Sequence, residues 1–403
     1  MRTSQRPALF HLAFLGVLIL VSSCAPPSDE AAVLPEESDD WVIGDPAEAG
    51  FAAAALEQLA VDIEAGAFPN THAVLIEHDG ALVFERYFSG SDEKGREFVD
   101  SQVMGADSLH DLRSISKSVT SALLGIALAT DFETAIDRPV AEYLPGLTLG
   151  EAQQTITLHQ VLTMTAGLQW NEMTVPYTDP MSDEMRLYSA ADPALYVMTR
   201  SVERPPGSTW YYSGGLTQVL ATVIFNITGQ HLDEYARERL FGPLGITHFE
   251  WLGPGSWTPD NPAAMSGLRL RARDLAKIGS VYLHGGRWRS QQVVPESWVE
   301  RSLIRHVAET DDWSDGGIWG YGYHWWIGAL PSGERVLAGV GNGSQRLFIL
   351  PDQRLVVTIL ASGYNRFEGH SERILDRVLA ARGGSFGVAP YASGPYKPLI
   401  SSS

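Results

Sequence analysis

Strand patterns occur near both ends of this chain, and a long, mostly helical stretch separates them. The early pattern is a hairpin, in which the apolar runs HAVLIEH and ALVFERYF flank an Asp79-Gly80 turn. The late runs are GYGYHWWIG, RVLAGVG, RLFILP and RLVVTILAS, and helical patches joined by Pro- and Gly-rich loops fill residues 139–317 before them. One sheet must therefore be assembled from both ends of the chain. This arrangement predicts an α+β fold, an antiparallel sheet flanked by helices with an inserted helical lobe.

The stretch 112–128, LRSISKSVTSALLGIAL, places a serine and a lysine three residues apart at the start of an apolar pattern. Ser114 and Lys117 share one face of a helical turn, so the lysine amine can reach the serine hydroxyl. A lysine whose pKa is lowered by burial or by a neighbouring cation can remove the serine proton. Free N–H groups at the helix start would stabilise negative charge beside it. The stretch indicates a nucleophile with its base or, alternatively, a helix that merely contains the two residues.

The chain contains its own comparison for this motif. Ser91 and Lys94 have the same spacing, but the segment SGSDEKG is predicted to be a polar loop without a helix to align them. Ser114 is therefore the candidate nucleophile.

Apolar residues at helical spacing predict further helices over about residues 51–65, 156–168 and 371–381.

The N-terminus has the features of an export signal. Arg2 and Arg6 precede an apolar run that is too short to span a membrane, and small residues lead to Cys24 in the sequence VSSC. This ending looks like a bacterial lipobox, so we expect residues 1–23 to be a lipoprotein signal peptide and Cys24 to carry lipid. Ordinary secretory cleavage that leaves a free thiol is the alternative. The protein is then expected at the bacterial cell envelope, held to the membrane by this anchor.

Composition divides the rest of the chain and excludes some functions. Residues 24–40 are rich in Pro, Glu, Asp and Ser and predict a tether, residues 41–382 suit one catalytic domain of two lobes, and residues 383–403 form a Gly/Pro/Ser-rich tail. A formal net charge of −19 argues against a nucleic-acid partner. The histidines are scattered along the sequence without a His-Glu-x-x-His motif, so we predict no metal site and no cofactor.

Two further segments suit a serine–lysine site. Tyr212 follows a Pro-Pro-Gly turn and precedes an apolar helix, so its hydroxyl can transfer protons if adjacent cations favour the phenolate; aromatic packing is the alternative. The stretch Gly341-Asn342-Gly343-Ser344-Gln345 next to RLFILP has small residues that let a substrate approach the backbone. The alternative there is a simple Gly-rich turn.

The segments HDLRSISKSVTSALLGIAL, LTMTAGLQWNE, PPGSTWYYSGGLTQVL, RARDLAKIGSVYLHGGRW and AGVGNGSQRLFILP follow one another in this chain. Together they resemble, in the expected order, the motifs of the serine β-lactamase and penicillin-binding-protein superfamily. The similarity is to its class C-related branch, which holds esterases, D-amino-acid peptidases and 6-aminohexanoate-dimer hydrolases. The resemblance covers roughly residues 41–381 and implies a β-lactamase/transpeptidase-like fold.

The resemblance also implies residue roles. Ser114 would be the acyl-accepting nucleophile, Lys117 its base, and Tyr212 the group that relays a proton to and from the leaving group. The backbone N–H groups of Ser114 and Asn342 would form the oxyanion hole. Five further residues of these motifs are expected to bind substrate: Trp170, Glu172, Gly341, Gly343 and Gln345.

The sequence departs from the family pattern at two places. Tyr212-Ser213-Gly214 stands where Tyr-x-Asn or Tyr-x-Ser is usual, and a literal Tyr-x-Ser begins at Tyr211, although the flanking residues favour Tyr212. Gly339-Val340-Gly341 stands where many members have Lys-Thr-Gly or His-x-Gly, so the cation that holds a substrate carboxylate is missing. Arg346 can replace it only if its side chain faces the cleft.

These observations predict a hydrolase that cleaves a small ester or amide through an acyl-enzyme. A D-Ala-D-Ala-type carboxypeptidase or β-lactamase is the alternative within the superfamily. A non-catalytic envelope protein that binds peptidoglycan or a β-lactam is the alternative from another class. An intact set of Ser114, Lys117 and Tyr212 argues against the last, because a binding protein has no need of a matched base.

Overall fold

The structure is a computed structural model that describes residues 41–254, 262–310, 319–366 and 368–386. The predicted signal peptide, Cys24 and the tether lie outside these residues, as does most of the predicted tail. Within the described ranges, no helix has the length and apolar character needed to cross a membrane.

The strands, in chain order, are β1 (Val42–Ile43), β2 (Thr71–His78), β3 (Ala81–Tyr87), β4 (Gly90–Lys94), β5 (Glu97–Gln102), β6 (His110–Asp111), β7 (Glu250–Trp251), β8 (Leu268–Leu270), β9 (Arg287–Trp288), β10 (Gln291–Gln292), β11 (Gly320–Tyr321), β12 (Trp326–Ala329), β13 (Arg335–Gly341), β14 (Gln345–Leu350) and β15 (Leu355–Ala361). The α-helices are α1 (Ala53–Glu64), α2 (Ile115–Leu128), α3 (Phe132–Ala135), α4 (Leu158–Leu162), α5 (Asp183–Leu187), α6 (Pro193–Met198), α7 (Gly214–Thr228), α8 (Leu232–Ala236), α9 (Ala272–Leu283), α10 (Glu296–Ser302) and α11 (His370–Ala380). Short 3₁₀ turns occur at Ala129–Asp131, Val140–Tyr143, Gln153–Thr155 and Pro351–Gln353, and a π-helical turn at Arg237–Phe241.

The main sheet contains strands from both ends of the chain, as the sequence predicts. Its order is β1-β3-β2-β15-β14-β13-β12-β11, so β2 of the early hairpin pairs directly with β15 near the C-terminus. The sheet is antiparallel except that β1 pairs in parallel with β3. The predicted hairpin is confirmed, since Asp79 and Gly80 both have positive φ in a two-residue turn between β2 and β3.

Helices cover both faces of this sheet. Leu347 of β14 meets Gly279 of α9, whereas the next side chain along the strand, Arg346, bonds Glu372 of α11. Because successive strand residues point to opposite faces, α9 and α11 lie on opposite sides. Every residue of β14 and β15 is buried, which is the burial expected of central strands covered on both faces.

The helical lobe is inserted between the two sets of strands, as predicted. Its central element is α2, which is buried around almost its whole circumference and packs against α7 as well as β13 and β14. A Cβ at Gly125 would overlap the Trp298 ring, so α2 also approaches α10 closely. The helix that carries the candidate nucleophile is therefore held rigidly between sheet and lobe.

The structure corrects three local predictions. The helix predicted over 156–168 covers only Leu158–Leu162, because Met164 adopts a positive φ that ends it. The segment around Ser91 and Lys94 is strand β4 and not a loop, so these two side chains point to opposite faces. The run GYGYHWWIG forms two strands, β11 and β12, and His324 lies in the turn between them with a positive φ.

Candidate active site

Ser114 occupies the turn that leads into α2. It is the N-cap residue, but its side chain makes no capping hydrogen bond. The hydroxyl instead lies 3.0 Å from Lys117 Nζ. The preceding Arg113 has φ of 52°, a conformation that costs a non-glycine residue about 1–2 kcal/mol and is often found beside functional residues. The tight turn leaves Ser114 partly exposed while its neighbours are buried.

Lys117 is almost fully buried, with 1% of its surface exposed. Its Nζ donates to the Met265 backbone oxygen at 2.9 Å in addition to its contact with Ser114. Burial lowers the pKa of Lys117, and the nearby carboxylates of Glu172 and Glu184 oppose this effect only in part. A neutral amine is the form that can accept the proton of Ser114.

Tyr212 lies two residues before α7, and its hydroxyl is close to the Ser114 side chain. The Lys117 Nζ lies over the Tyr212 ring, 4.9 Å from its centroid, and the ring of Trp326 is stacked against the Tyr212 ring. Tyr212 therefore combines the aromatic packing and the polar contact that the sequence left as alternatives. Tyr211, the other candidate, is stacked with Arg204 instead.

The expectation that cations favour the Tyr212 phenolate is wrong for this arrangement. Burial raises the pKa of Tyr212 well above its usual value, and the carboxylate of Glu172 raises it further. Tyr212 is therefore a neutral hydroxyl that can donate a proton. The lowered pKa of Lys117 favours its neutral, basic form, and both groups are close to the Ser114 side chain.

The stretch predicted to complete the oxyanion hole connects β13 and β14 beside the nucleophile turn. A Cβ at Gly341 would overlap the Leu112 backbone oxygen, so only glycine allows this close approach. Asn342 lines the same cavity as Ser114, and its side-chain amide is paired with Asn365. The Asn342 side chain is thus occupied, while its backbone adjoins the cavity.

Trp170 and Glu172 lie behind the site and support it. Glu172 Oε2 accepts hydrogen bonds from Trp170 Nε1 at 2.7 Å and from the Gly214 backbone N–H at 2.6 Å. A Cβ at Gly214 would lie 3.2 Å from that oxygen. Gly214, the residue that departs from the usual tyrosine motif, therefore leaves space for the buried carboxylate of Glu172. The motif in the sequence did not indicate this role.

A second buried carboxylate, Glu184, lies close enough to Glu172 for their charges to interact. Burial, together with the charge of Glu184, raises the pKa of Glu172 to about 7. The pKa of Glu184 is lowered despite its burial, because Arg96 forms an ion pair with it. The pKa values of the two carboxyl groups are thus shifted in opposite directions, and both groups lie near Lys117.

Gly343 and Gln345 contribute mainly to the shape of this strand connection. Gly343 has φ of 100°, and a Cβ there would lie 2.6 Å from the Tyr364 ring. Gln345 is fully buried, and its side-chain amide bonds the backbone of Ala361 on the neighbouring strand β15. Its side chain is therefore directed along the sheet.

Ser114 opens into a cavity of about 70 Å³ that also contains two arginines, Arg96 and Arg113. Arg96 is paired with Glu184 and Arg113 with Glu93, so the charges of both are offset. Sequence reasoning missed both residues. Arg113 is adjacent to Ser114 in the sequence and offered a signal, but Arg96 comes from the β4–β5 turn, and only the fold brings it here.

Arg346, the cation considered from sequence, does not face this cavity. It is buried, and its guanidinium donates to Glu372 Oε1 at 2.7 Å and to backbone oxygens of Gly341 and Gln345. The direction follows from strand alternation, because Leu347 points to the α9 side of the sheet.

A larger cavity of about 280 Å³ shares Arg96, Arg113 and Ser266 with the first. Apolar atoms supply most of its lining, and among the residues that contribute them are Met185, Leu252 and Pro254. The larger cavity thus places a mainly apolar compartment beside the serine, and the charged side chains in it, Arg96, Arg113 and Asp111, are paired.

Comparison with known proteins agrees with this geometry. A family model described as Beta-lactamase matches residues 64–382. This chain is 29% identical over 273 residues to 6-aminohexanoate-dimer hydrolase of Paenarthrobacter ureafaciens, a match that covers 64% of this chain and 67% of that protein. It is 26% identical over 188 residues to lovastatin esterase of Penicillium rubens, a match that covers 44% of this chain and 40% of the esterase.

The solved structure of a family VIII carboxylesterase superposes on this chain with a TM-score of 0.65 at 13% identity. The superposition covers 84% of this chain and 98% of the esterase chain. At this identity the likeness bears on the fold alone. It agrees with the sheet and inserted helical lobe described above.

Proposed function

This chain belongs to the beta-lactamase family and is a hydrolase, and from that premise we propose that it cleaves an ester or amide through an acyl-enzyme on Ser114. One observation carries the proposal: the Ser114 hydroxyl lies 3.0 Å from Lys117 Nζ, a buried amine whose pKa is lowered by desolvation. A serine beside a neutral amine can lose its proton as it attacks a carbonyl carbon.

The proposed reaction uses one group on each side of the serine. Lys117 accepts the proton as Ser114 Oγ bonds to the carbonyl carbon, and the backbone N–H groups of Ser114 and Asn342 stabilise the oxyanion. The Tyr212 hydroxyl donates a proton to the leaving alcohol or amine, and the proton held by Lys117 restores it. Water then attacks the acyl carbon as Lys117 takes one of its protons, the bond to Ser114 Oγ breaks, and that proton passes to Ser114 Oγ as the acid is released. The contact between Tyr212 and Ser114 supports this division of roles.

Labelling with a fluorophosphonate probe tests the nucleophile. We expect Ser114→Ala to abolish labelling and to lower kcat by several orders of magnitude, and Lys117→Ala to be nearly as damaging, because residues that act as a unit are not additive. Ser91→Ala is the matched control, since Ser91 has the same spacing to a lysine but lies on strand β4. Full labelling of Ser114→Ala protein would contradict the proposal. Detection of an acyl-enzyme by intact mass would exclude a protein that only binds.

We further propose that the substrate is uncharged near the scissile bond. The arginines of the serine cavity are already paired with carboxylates, and the adjoining 280 Å³ cavity has a mainly apolar lining. A missing charge-assisted hydrogen bond to a substrate carboxylate costs roughly 1.5–3 kcal/mol, or about one to two decades in kcat/KM. The names of the two relatives, 6-aminohexanoate-dimer hydrolase and lovastatin esterase, support hydrolysis of a small molecule.

A substrate panel measured at one pH decides the preference. We expect higher kcat/KM for p-nitrophenyl acetate and butyrate than for benzylpenicillin or a D-Ala-D-Ala dipeptide. The alternative, a D-Ala-D-Ala-type peptidase or β-lactamase, is favoured by the presence of Arg96 and Arg113 in the serine cavity. If penicillin or the dipeptide exceeds both esters, one of these arginines holds the substrate carboxylate, and Arg96→Gln should then reduce that rate selectively.

A further inference from the structure

Three residues that are distant in the sequence meet in a buried cluster outside the serine site. His72 lies on β2, Asp92 on β4 and His110 on β6, and each is at least 94% buried. One potential ligand atom from each lies within 4.8 Å of the others. The two imidazole rings are 5.4 Å apart between centroids. Sequence spacing gave no sign of this cluster, because the three residues come from separate strands.

His110 has no polar contact that explains its burial. Its side chain is fully buried, and among the described residues neither ring nitrogen has a hydrogen-bond partner. Buried polar atoms in proteins are nearly always hydrogen-bonded, so the two unpaired ring nitrogens of His110 need an explanation. The closest carboxylate oxygen, Asp92 Oδ2, is 4.0 Å from His110 Nδ1, which is too far for a hydrogen bond.

We propose that His72, Asp92 and His110 bind a divalent first-row transition-metal ion such as Zn²⁺. Two imidazoles and one carboxylate are a ligand set that such ions prefer, and water can complete the coordination. In a tetrahedral site with ligand atoms about 2.1 Å from the ion, those atoms are about 3.4 Å apart. The three ligand atoms lie within 4.8 Å of one another, so binding requires side-chain rotations that shorten the longest separation by up to about 1.4 Å.

Neighbouring polar side chains hold two of the proposed ligands in place. Asp92 Oδ1 accepts a hydrogen bond from the Tyr364 hydroxyl at 2.9 Å, and Ser362 Oγ lies 3.1 Å from His72 Nε2. Such outer contacts typically orient the ligands of metal sites. The two nearby cations are neutralised by carboxylates that form ion pairs with them. Arg113 pairs with Glu93 and Asp111, and Arg269 with Asp111 and Glu250.

The cluster also adjoins the serine cavity through one side chain. The ring of Tyr364, which lines that cavity, lies 4.6 Å from the Arg113 guanidinium, and Arg113 precedes Ser114. An ion at the cluster would fix Asp92 and, through it, Tyr364. The ion would therefore position Tyr364 beside the serine cavity. Its occupancy can be measured independently of hydrolysis.

Equilibrium dialysis of the full chain against Zn²⁺, with metal measured by mass spectrometry, tests the proposal. We expect about one ion per chain in the wild-type protein, and a melting temperature that rises with added Zn²⁺. Asp92→Asn keeps an acceptor for Tyr364 but removes the charge, and it should weaken Zn²⁺ binding at least about tenfold. Ser114→Ala should bind Zn²⁺ as the wild type does, so the result does not depend on the proposed hydrolase mechanism.

His306→Gln provides the matched control. His306 and His159 form another histidine pair, with ring centroids 4.9 Å apart, but their polar contacts go to the Arg301 backbone oxygen and the Tyr323 hydroxyl. Zn²⁺ binding should survive this substitution. Less than one-tenth of an ion per wild-type chain, or undiminished stoichiometric binding by a folded His72→Gln/Asp92→Asn protein, would overturn the proposal. If that double variant does not fold, the wild-type stoichiometry and the Asp92→Asn affinity still decide it.

Discussion

At the scale of single residues, the reactivity proposed for Ser114 depends on how charge is arranged around Lys117. Burial disfavours the ammonium form, whereas Glu172 and Glu184 stabilise it, and the net effect is a lowered pKa. Neither carboxylate contacts Ser114 in the way that Lys117 does. Their influence on the reaction is therefore electrostatic and should appear in the pH dependence.

Glu172→Gln tests this influence. The proposed mechanism requires neutral Lys117, so kcat/KM should rise with pH as Lys117 loses its proton. The Glu172 carboxylate raises the pKa of Lys117, so its removal should move this acidic limb to lower pH. Glutamine can still accept the hydrogen bonds of Trp170 and Gly214, because both reach the same oxygen.

A pH–rate profile of the variant gives the answer. Glu93→Gln is the matched control, since Glu93 lines the serine cavity but pairs with Arg113. Its acidic limb should stay close to that of the wild type. An unchanged limb in Glu172→Gln, or a shift to higher pH, would show that Glu172 does not act on Lys117.

At the scale of secondary-structure elements, the site depends on the close approach of strand β13 to the turn before α2. The nucleophile and Lys117 come from that turn and helix, whereas the second proposed oxyanion donor follows β13. Gly341 is the position at which the two backbones meet, because a Cβ there would overlap the Leu112 oxygen. The relative position of these elements is thus set by backbone contact as well as by side-chain packing.

Gly341→Ala should force β13 away from the nucleophile turn. We expect a loss of about 1–3 kcal/mol in the free energy of unfolding, typical of overpacking, and a fall of at least about tenfold in kcat/KM as the oxyanion donors separate. Gly339→Ala is the control, because a Cβ at this position of the same strand would be 3.4 Å from its nearest neighbour, in Ile115. Denaturant unfolding and ester hydrolysis measure both effects. Equal behaviour of the two variants would contradict the argument.

At the scale of the whole molecule, the catalytic domain is proposed to be tethered to a membrane by its N-terminus. The basic start, short apolar run and Val-Ser-Ser-Cys ending motivate this proposal. Acylation of Cys24, followed by a polar linker, would hold the domain near the membrane surface and leave its cleft accessible.

The mature protein should therefore begin at Cys24 and carry lipid mass. Cys24→Ser protein should leave the membrane fraction or persist as an unprocessed precursor, as shown by fractionation and intact mass. A wild-type mature protein that begins at another residue and carries no lipid would refute the proposal. Ser114 labelling should be unchanged in Cys24→Ser, because the described site contains no part of the N-terminal segment.

Local patterns were sufficient for several parts of this fold. The Asp79-Gly80 hairpin, the strands RVLAGVG and RLVVTILAS, and helix α2 follow from short-range periodicity and turn chemistry, which are properties of neighbouring residues. The pairing of Ser114 with Lys117 belongs to the same class, because a helical turn places i and i+3 side by side. The choice of Tyr212 over Tyr211 rested on flanking residues and agrees with the contact to Ser114.

Other features depended on contacts between distant segments. Periodicity indicates which face of an element is buried but not what it packs against, so sequence could not show that Arg346 bonds Glu372 or that Glu172 lies beside Gly214. The raised pKa of Tyr212 likewise reflects burial by the assembled lobe, which the local sequence does not determine. Sequence alone determined the pairing of Ser114 with Lys117, because helix geometry is local. Only the tertiary structure decided the charges around them and the cluster of His72, Asp92 and His110, because these arise where strands and loops far apart in the chain are packed together.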